Sequence, residues 1–206
     1  RQLEKLGVAI KLGHEAGTED VLACVPDAII VATGSTAFRP DVIGADQKHV
    51  LSSRDVLLGN SEIGQRVLVV DTLGRAEAPS VAEHLADQGR NVEIVTGLEY
   101  IGRHMPIPAW HVQLERLMKK NVTLTPFTGV WEVNDKSVDV YNVVSWEPRT
   151  IEDIDAVVLA AGGQADDELF RDLKERHPEV HAIGDCFQPR DIELAVVDGH
   201  RVAREI

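Results

Sequence analysis

Apolar residues fall along this chain in short blocks whose period changes from place to place. Residues 66–71, RVLVVD, form an unbroken apolar run behind Arg66, short enough for a buried strand. Residues 77–88 set Val81, Leu85 and Gln88, with Ala78, Ala82 and Ala86, at helical spacing, and Gly89 is placed to stop that helix. Residues 91–96, NVEIVT, alternate and predict the next strand. Strand, helix and strand in that order outline a crossover unit with parallel strands. Two further all-apolar runs, 28–32 (AIIVA) and 154–161 (IDAVVLAA), end in small-residue turns, Thr33-Gly34-Ser35 and Gly162-Gly163. Runs without alternation suit central parallel strands covered on both faces. Small residues at their ends allow close backbone approach.

The rest of the pattern fills in around these runs. Residues 1–7, RQLEKLG, read as the last turns of a helix stopped by Gly7, and a chain that opens inside a helix reads as a fragment. A short strand is predicted over 8–12. A short helix is predicted over 50–58, capped by Ser52 or Ser53, and a longer one over 109–120, where Val112, Leu114, Leu117 and Met118 share a face. A strand over 122–125 precedes a hairpin, 130–133 and 137–144 around Asn134-Asp135-Lys136, and a last meander strand over 146–150. A helix over 167–176, a strand over 180–183 ending in Gly184-Asp185-Cys186, and a closing helix over 192–206 complete an α/β pattern.

Charge narrows the possible partners. A net charge of −13 argues against nucleic acid and against anionic membranes. An aromatic content of 4% argues against a stacking surface for single strands. No apolar run approaches the ~20 residues that span a bilayer. Cys24 and Cys186 form no C-x-x-C and cannot hold an iron–sulfur cluster by themselves, so they read as thiols in a reducing cytoplasm. No metal site and no catalytic residue is read from the sequence.

Set on the G-x-G-x-x-G pattern of dinucleotide-binding crossovers, the turn after residue 71 reads Asp71-Thr72-Leu73-Gly74-Arg75-Ala76. Only Gly74 is a glycine, and it is out of phase. Asp71 stands where a pyrophosphate meets backbone amides and would repel it. Leu73 blocks close approach. The second strand ends in Thr96, where such sites place an acid for the ribose hydroxyls. Arg75 remains able to meet a phosphate. The residues predict a Rossmann-type unit that kept its fold and no longer binds NAD(P).

Three segments occur in one order: DAIIVATGS at 27–35, DAVVLAAGG at 155–163, and AIGDC at 182–186, the last followed by DGHRVAREI. With HVLSSRDVLLG, SVAEHLADQG and GDCFQPRDIELAVVDGHRVAREI, they make the chain resemble the two-domain flavin and pyridine-nucleotide module of the glutathione-reductase type. More closely, it resembles the C-terminal half of the NADH:flavin oxidoreductases related to trimethylamine dehydrogenase and 2,4-dienoyl-CoA reductase. The resemblance implies two Rossmann-like three-layer domains, one inserted in the other, with a small antiparallel meander. Residues 1–58 and 151–206 would form a truncated flavin- or ADP-binding-type domain. Residues 59–150 would form the inserted pyridine-nucleotide-type domain with its degenerate glycine motif.

By the same resemblance, Asp185 and Gly184 would contact the sugar part of a flavin nucleotide. Thr33, Gly34, Ser35, Gly162 and Gly163 would lie beside a nucleotide. ADP or FAD would bind in the intact parent, while FMN and an iron–sulfur cluster would sit in an N-terminal catalytic barrel, the natural partner of this chain. The expected function is the nucleotide-binding-fold region of a flavin-dependent oxidoreductase of amine dehydrogenase or enoyl reductase type. Two alternatives stay open: a scaffold that has lost nucleotide binding, and a working NAD(P)H-reducing module. Whether the chain is itself an enzyme and whether it forms a homo-oligomer are left open.

Overall fold

The computed structural model describes residues 2–59 and 61–206. In chain order the elements are α1 (Gln2–Lys5), α2 (Thr18–Leu22), β1 (Ile29–Val31), β2 (Ser35–Ala37), β3 (Val50–Ser52), α3 (Ser53–Leu57), β4 (Arg66–Asp71), α4 (Glu77–Asp87), β5 (Asn91–Thr96), α5 (Ile107–Lys119) and β6 (Thr123–Thr125). They continue with β7 (Thr128–Val133), β8 (Ser137–Asn142), β9 (Pro148–Glu152), β10 (Ala156–Ala160), β11 (Gly163–Ala165), α6 (Glu168–Arg176), β12 (Val180–Ala182), a 3-10 turn at Gly184–Cys186 and α7 (Ile192–Glu205). The chain divides into two units: Ala37–Gly163, and the chain up to Thr36 together with Gln164–Ile206.

The Ala37–Gly163 unit is built on a five-stranded parallel sheet in the order β3-β10-β4-β5-β6. Its two central strands are the apolar runs of the sequence. Every residue of β10 is buried, and so is every residue of β4 after Arg66. Alternate residues serve opposite faces, as a strand requires. Val67, Val69, Ile94 and Val158 pack with Val81, Leu85 and Leu117 of helices α4 and α5. Leu68, Val70, Val95, Val157 and Leu159 pack with Val133, Val138, Val140 and Ile151 of the antiparallel meander β7-β8-β9. The result is three layers: helices, parallel sheet, meander. Full burial of a side chain such as Leu85 contributes roughly 1.5–3 kcal/mol.

Local chemistry starts and stops the elements. Helix α3 has a reciprocal cap: the Ser52 hydroxyl accepts from Asp55 N–H at 3.1 Å, and Asp55 accepts from Ser52 N–H at 3.0 Å. Lys120, just after α5, ties that helix to α4 through Nζ, which meets Glu83 at 2.8 Å and Asp87 at 2.6 Å.

The other unit is smaller. Strands β1 and β12 pair in parallel, and Ile29, Val31, Leu173, Val180 and Cys186 form its core. Helix α6 packs there by its one buried residue, Leu173.

Several expected elements change. Residues 8–12 form no strand. The 28–32 run forms only β1, which is not a strand covered on both faces: Ile30 is 41% exposed. The last meander strand is Pro148–Glu152 rather than 146–150, because Trp146 turns the chain at φ +62°. The compact units divide at 36/37 and 163/164, because β3 and β10 hydrogen-bond into the central sheet. Among the described residues, no helix is long and apolar enough to cross a membrane.

Candidate functional site

In the smaller unit, the 3-10 turn Gly184–Cys186 links β12 to the segment that leads into α7. Gly184 adopts φ +60°, a region that strains other L-residues, and an added Cβ would stand 3.5 Å from that of Ala195. This close packing brings Asp185 to the rim of a cleft of about 400 Å³. Ala32, Gly34, Ile183 and Ala195 give the cleft an apolar floor, and Asp185, Asp191 and Arg190 give it charge.

Both carboxylate oxygens of Asp185 are held. Oδ2 accepts from the Ser35 hydroxyl at 3.1 Å, and Oδ1 accepts from Arg190 N–H at 3.2 Å. Arg190 is fixed in turn. Its guanidinium pairs with Asp198, Nε donates to the Gln188 carbonyl at 3.2 Å, and the group lies 5.7 Å over the Phe187 ring. Asp198, which is buried, also accepts from Gly184 N–H at 3.2 Å. One carboxylate of α7 therefore organises both the glycine turn and the arginine. Asp191 caps α7 by accepting from Leu194 N–H at 3.0 Å. A rigid carboxylate and a rigid guanidinium on one apolar cleft suit a ligand with hydroxyls at one end and an anionic group at the other.

Of the residues singled out in the sequence, Gly34, Gly184 and Asp185 line this cleft, and Ser35 orients Asp185. Thr33 instead donates its hydroxyl to the Asp166 carbonyl. Gly162 and Gly163 belong to the Ala37–Gly163 unit. Arg190 and Asp198 were not singled out. The only signals for them were Pro189-Arg190 ahead of the helix and an acid inside it, and neither shows that the two meet.

In the Ala37–Gly163 unit, a dinucleotide would need the crevice at the carboxyl ends of β4 and β10. The chain fills it. Asp71 Oδ1 accepts from the N–H groups of Leu73 at 3.1 Å and Gly74 at 2.8 Å, the amides a phosphate would use. The Leu73 side chain lies over Gly162, where an added Cβ would stand 2.8 Å from Leu73 Cδ1. Glu77 takes Gly162 N–H at 3.0 Å on Oε2 and the Ser53 hydroxyl on Oε1. His104 closes the outer side, donating its N–H to Gly74 O at 2.7 Å and setting Nδ1 2.8 Å from Leu73 O. A carbonyl only accepts, so Nδ1 carries the proton.

Asp71 Oδ2 is buried without a hydrogen-bond partner. Burial pushes the Asp71 carboxyl above its ordinary range, against the pull of the Gly74, Leu73 and Gly102 amides, and nearby Glu77 adds to the rise. Thr96, its register partner on β5, is also buried.

The histidines form no cluster. His177 Nε2 meets the Pro26 carbonyl at 3.0 Å, and His181 pairs with Glu179. Among the described residues, no group of three His, Cys, Asp or Glu could hold a metal ion.

Residues 51–151, from β3 to the end of the meander, match the family model of the OYE-like second alpha/beta domain. This region is similar to that domain family. The likeness extends beyond that domain in both directions. Dimethylamine dehydrogenase of Hyphomicrobium sp. (strain x) is 28% identical over 91% of this chain, which covers 30% of that protein. Bilirubin reductase of Mediterraneibacter gnavus (strain CC55_001C) is 30% identical over 98% of the chain and 31% of its own length. A solved 2-naphthoyl-CoA reductase complex superposes on the whole chain with a TM-score of 0.89 at 31% identity, over 31% of its length. The chain thus spans about 30% of the relatives it matches. The resemblance to the trimethylamine dehydrogenase type holds along the chain.

Proposed function

We propose that the cleft at Asp185 binds the adenosine diphosphate part of a nucleotide, as ADP or FAD, within a larger flavin-dependent oxidoreductase. The OYE-like domain supports that enzyme by its fold and does not bind NAD(P). The observation that carries the reading is the Asp185–Arg190 pair, held rigidly on one apolar cleft. The Asp185 carboxylate would accept from ribose hydroxyls, and the Arg190 guanidinium would face phosphate oxygens. FAD would supply electron transfer there; ADP would supply none.

The residues of the OYE-like domain do not fit a pyrophosphate. Asp71 occupies the loop amides, Leu73 covers Gly162, and Glu77 takes the Gly162 N–H. The substrate centre, with FMN and an iron–sulfur cluster, would lie in an N-terminal barrel that partners this chain. Amine dehydrogenase chemistry and reduction of an enoyl-type substrate are supported by the names of two relatives, a dimethylamine dehydrogenase and a cinnamate reductase. Two free cysteines fit a reducing, cytoplasmic setting.

Calorimetric titration with ADP tests the reading. The full chain binds ADP, and Asp185→Ala weakens it by roughly ten- to a hundredfold, the loss of a charged hydrogen bond. NADH shows no micromolar binding. Equal ADP affinity in Asp185→Ala would overturn the site. Failure of both ADP and FAD to bind would favour the scaffold reading.

A further inference from the structure

The meander β7-β8-β9 is two-faced. Its inner face is spent on the core through Val133, Val138, Val140 and Ile151. Its outer face carries aromatic rings that the core does not use. Trp131 is 60% exposed and Trp146 is 67% exposed, in a chain with three tryptophans in all. The rings are held in a fixed array. Tyr141 packs against Gly129, so closely that a Cβ there would stand 2.6 Å from the ring. Trp146 stacks on Tyr141 with centroids 5.3 Å apart and planes 9° from parallel. Trp131 meets the same ring edge-on, 5.8 Å away at 81°. A register shift between Val130 and Glu132 brackets Trp131, and such irregularities re-aim side chains.

The backbone at Trp146 is also unusual. Its φ is +62°, a left-handed conformation that a large L side chain adopts at a cost. Asn142 enforces it: its side chain accepts from Val144 N–H and Ser145 N–H, both at 2.9 Å, and its carbonyl accepts from Trp146 N–H at 2.8 Å. Glycine would suit the turn better.

Charge selects the occupant. Residues 128–153 hold six carboxylates and two cations. Both cations are drawn to carboxylates outside this stretch, Lys136 to Asp155 at 3.0 Å and Arg149 to Glu93 at 3.7 Å. Glu132, Asp139, Glu147 and Glu152 make no ion pair among the described residues. The whole chain carries −13, so a second copy, a nucleic acid or an anionic membrane is repelled. Exposed indole rings beside uncompensated carboxylates favour cations, and guanidinium above ammonium because it also stacks. We propose that the outer face of the meander is a docking surface for a basic, arginine-bearing segment of a partner protein.

Binding of labelled hexa-arginine, hexa-lysine and hexa-glutamate peptides to the full chain, followed by fluorescence anisotropy, tests this surface. Hexa-arginine binds more tightly than hexa-lysine, and hexa-glutamate does not bind. The double variant Trp131→Ala/Trp146→Gly loses about tenfold in hexa-arginine affinity, and Glu132→Gln/Glu147→Gln also weakens it. Trp146→Gly alone leaves the thermal midpoint unchanged or raised, because glycine accepts the left-handed turn. That result separates loss of the ring from loss of the fold. The surface is overturned if the tryptophan double variant binds hexa-arginine as tightly as the parent, if hexa-lysine equals hexa-arginine, or if neither cationic peptide binds.

Discussion

Asp71 shows how one side chain can occupy the amides of a strand-to-helix turn. Its Oδ1 takes the two amides that would hold a phosphate, and its Oδ2 is buried without a partner. Its carboxyl is pushed above its ordinary range by burial. The sign follows from linkage. A group with a raised folded pKa adds stability below its unfolded value of 3.8 and loses that contribution as pH rises through the folded value. At neutral pH the charged form therefore destabilises the fold. Asp71→Asn keeps the acceptor for Leu73 and Gly74 and removes the charge. It is expected to raise stability at pH 7. The gain should fade as pH drops below the carboxylate range. Thermal melts at several pH values check this; an Asn variant less stable than the parent at pH 7 would show the buried charge to be stabilising.

Among the elements, legibility depended on how many neighbours each has. Strands β4 and β10 were readable because both faces are buried and the runs carry no alternation. The run that became β1 looks the same in sequence, yet it pairs with β12 and leaves Ile30 exposed. An apolar run records hydrophobicity and not the number of strands beside it. Residues 8–12 alternate but meet no strand, so no ladder forms. In the candidate site, Asp185 and Ser35 were legible because they sit in motifs at strand ends. The Arg190–Asp198 pair was not, because only the fold of α7 back onto the turn brings it together. Helix α3 was readable through its capping residue. Ser52→Ala removes the hydroxyl that accepts from Asp55 N–H and should cost about 1 kcal/mol. Hydrogen bonds from Ser52 also hold the Asp55 carboxyl below its usual range, so its contribution is present above the unfolded value and is lost as pH falls through the folded one. The destabilisation by Ser52→Ala, measured by urea unfolding, should accordingly shrink toward acid pH; a constant difference would separate the cap from the Asp55 charge.

For the whole molecule, the arrangement of cores sets which part can fold alone. The core cluster beneath the helices and the one beneath the meander both lie entirely within Ala37–Gly163. The core of the other unit, Ile29, Val31, Leu173, Val180 and Cys186, shares no residue with them. The five-stranded sheet is also complete inside Ala37–Gly163, with each hydrogen-bonded neighbour drawn from that segment. A segment of this length buries enough surface for a stable core without metal or disulfide. An excised chain of residues 37–163 is therefore expected to unfold cooperatively in urea, with a slope of roughly 1–3 kcal/mol/M. All three tryptophans lie inside it and both cysteines lie outside, so its fluorescence reports the unfolding and reducing agents should not move the midpoint. The same piece lacks the Asp185 cleft and should bind no ADP, while it keeps the outer face of the meander and should still bind hexa-arginine. A broad, probe-dependent transition would mean that the smaller unit supplies contacts on which this sheet depends.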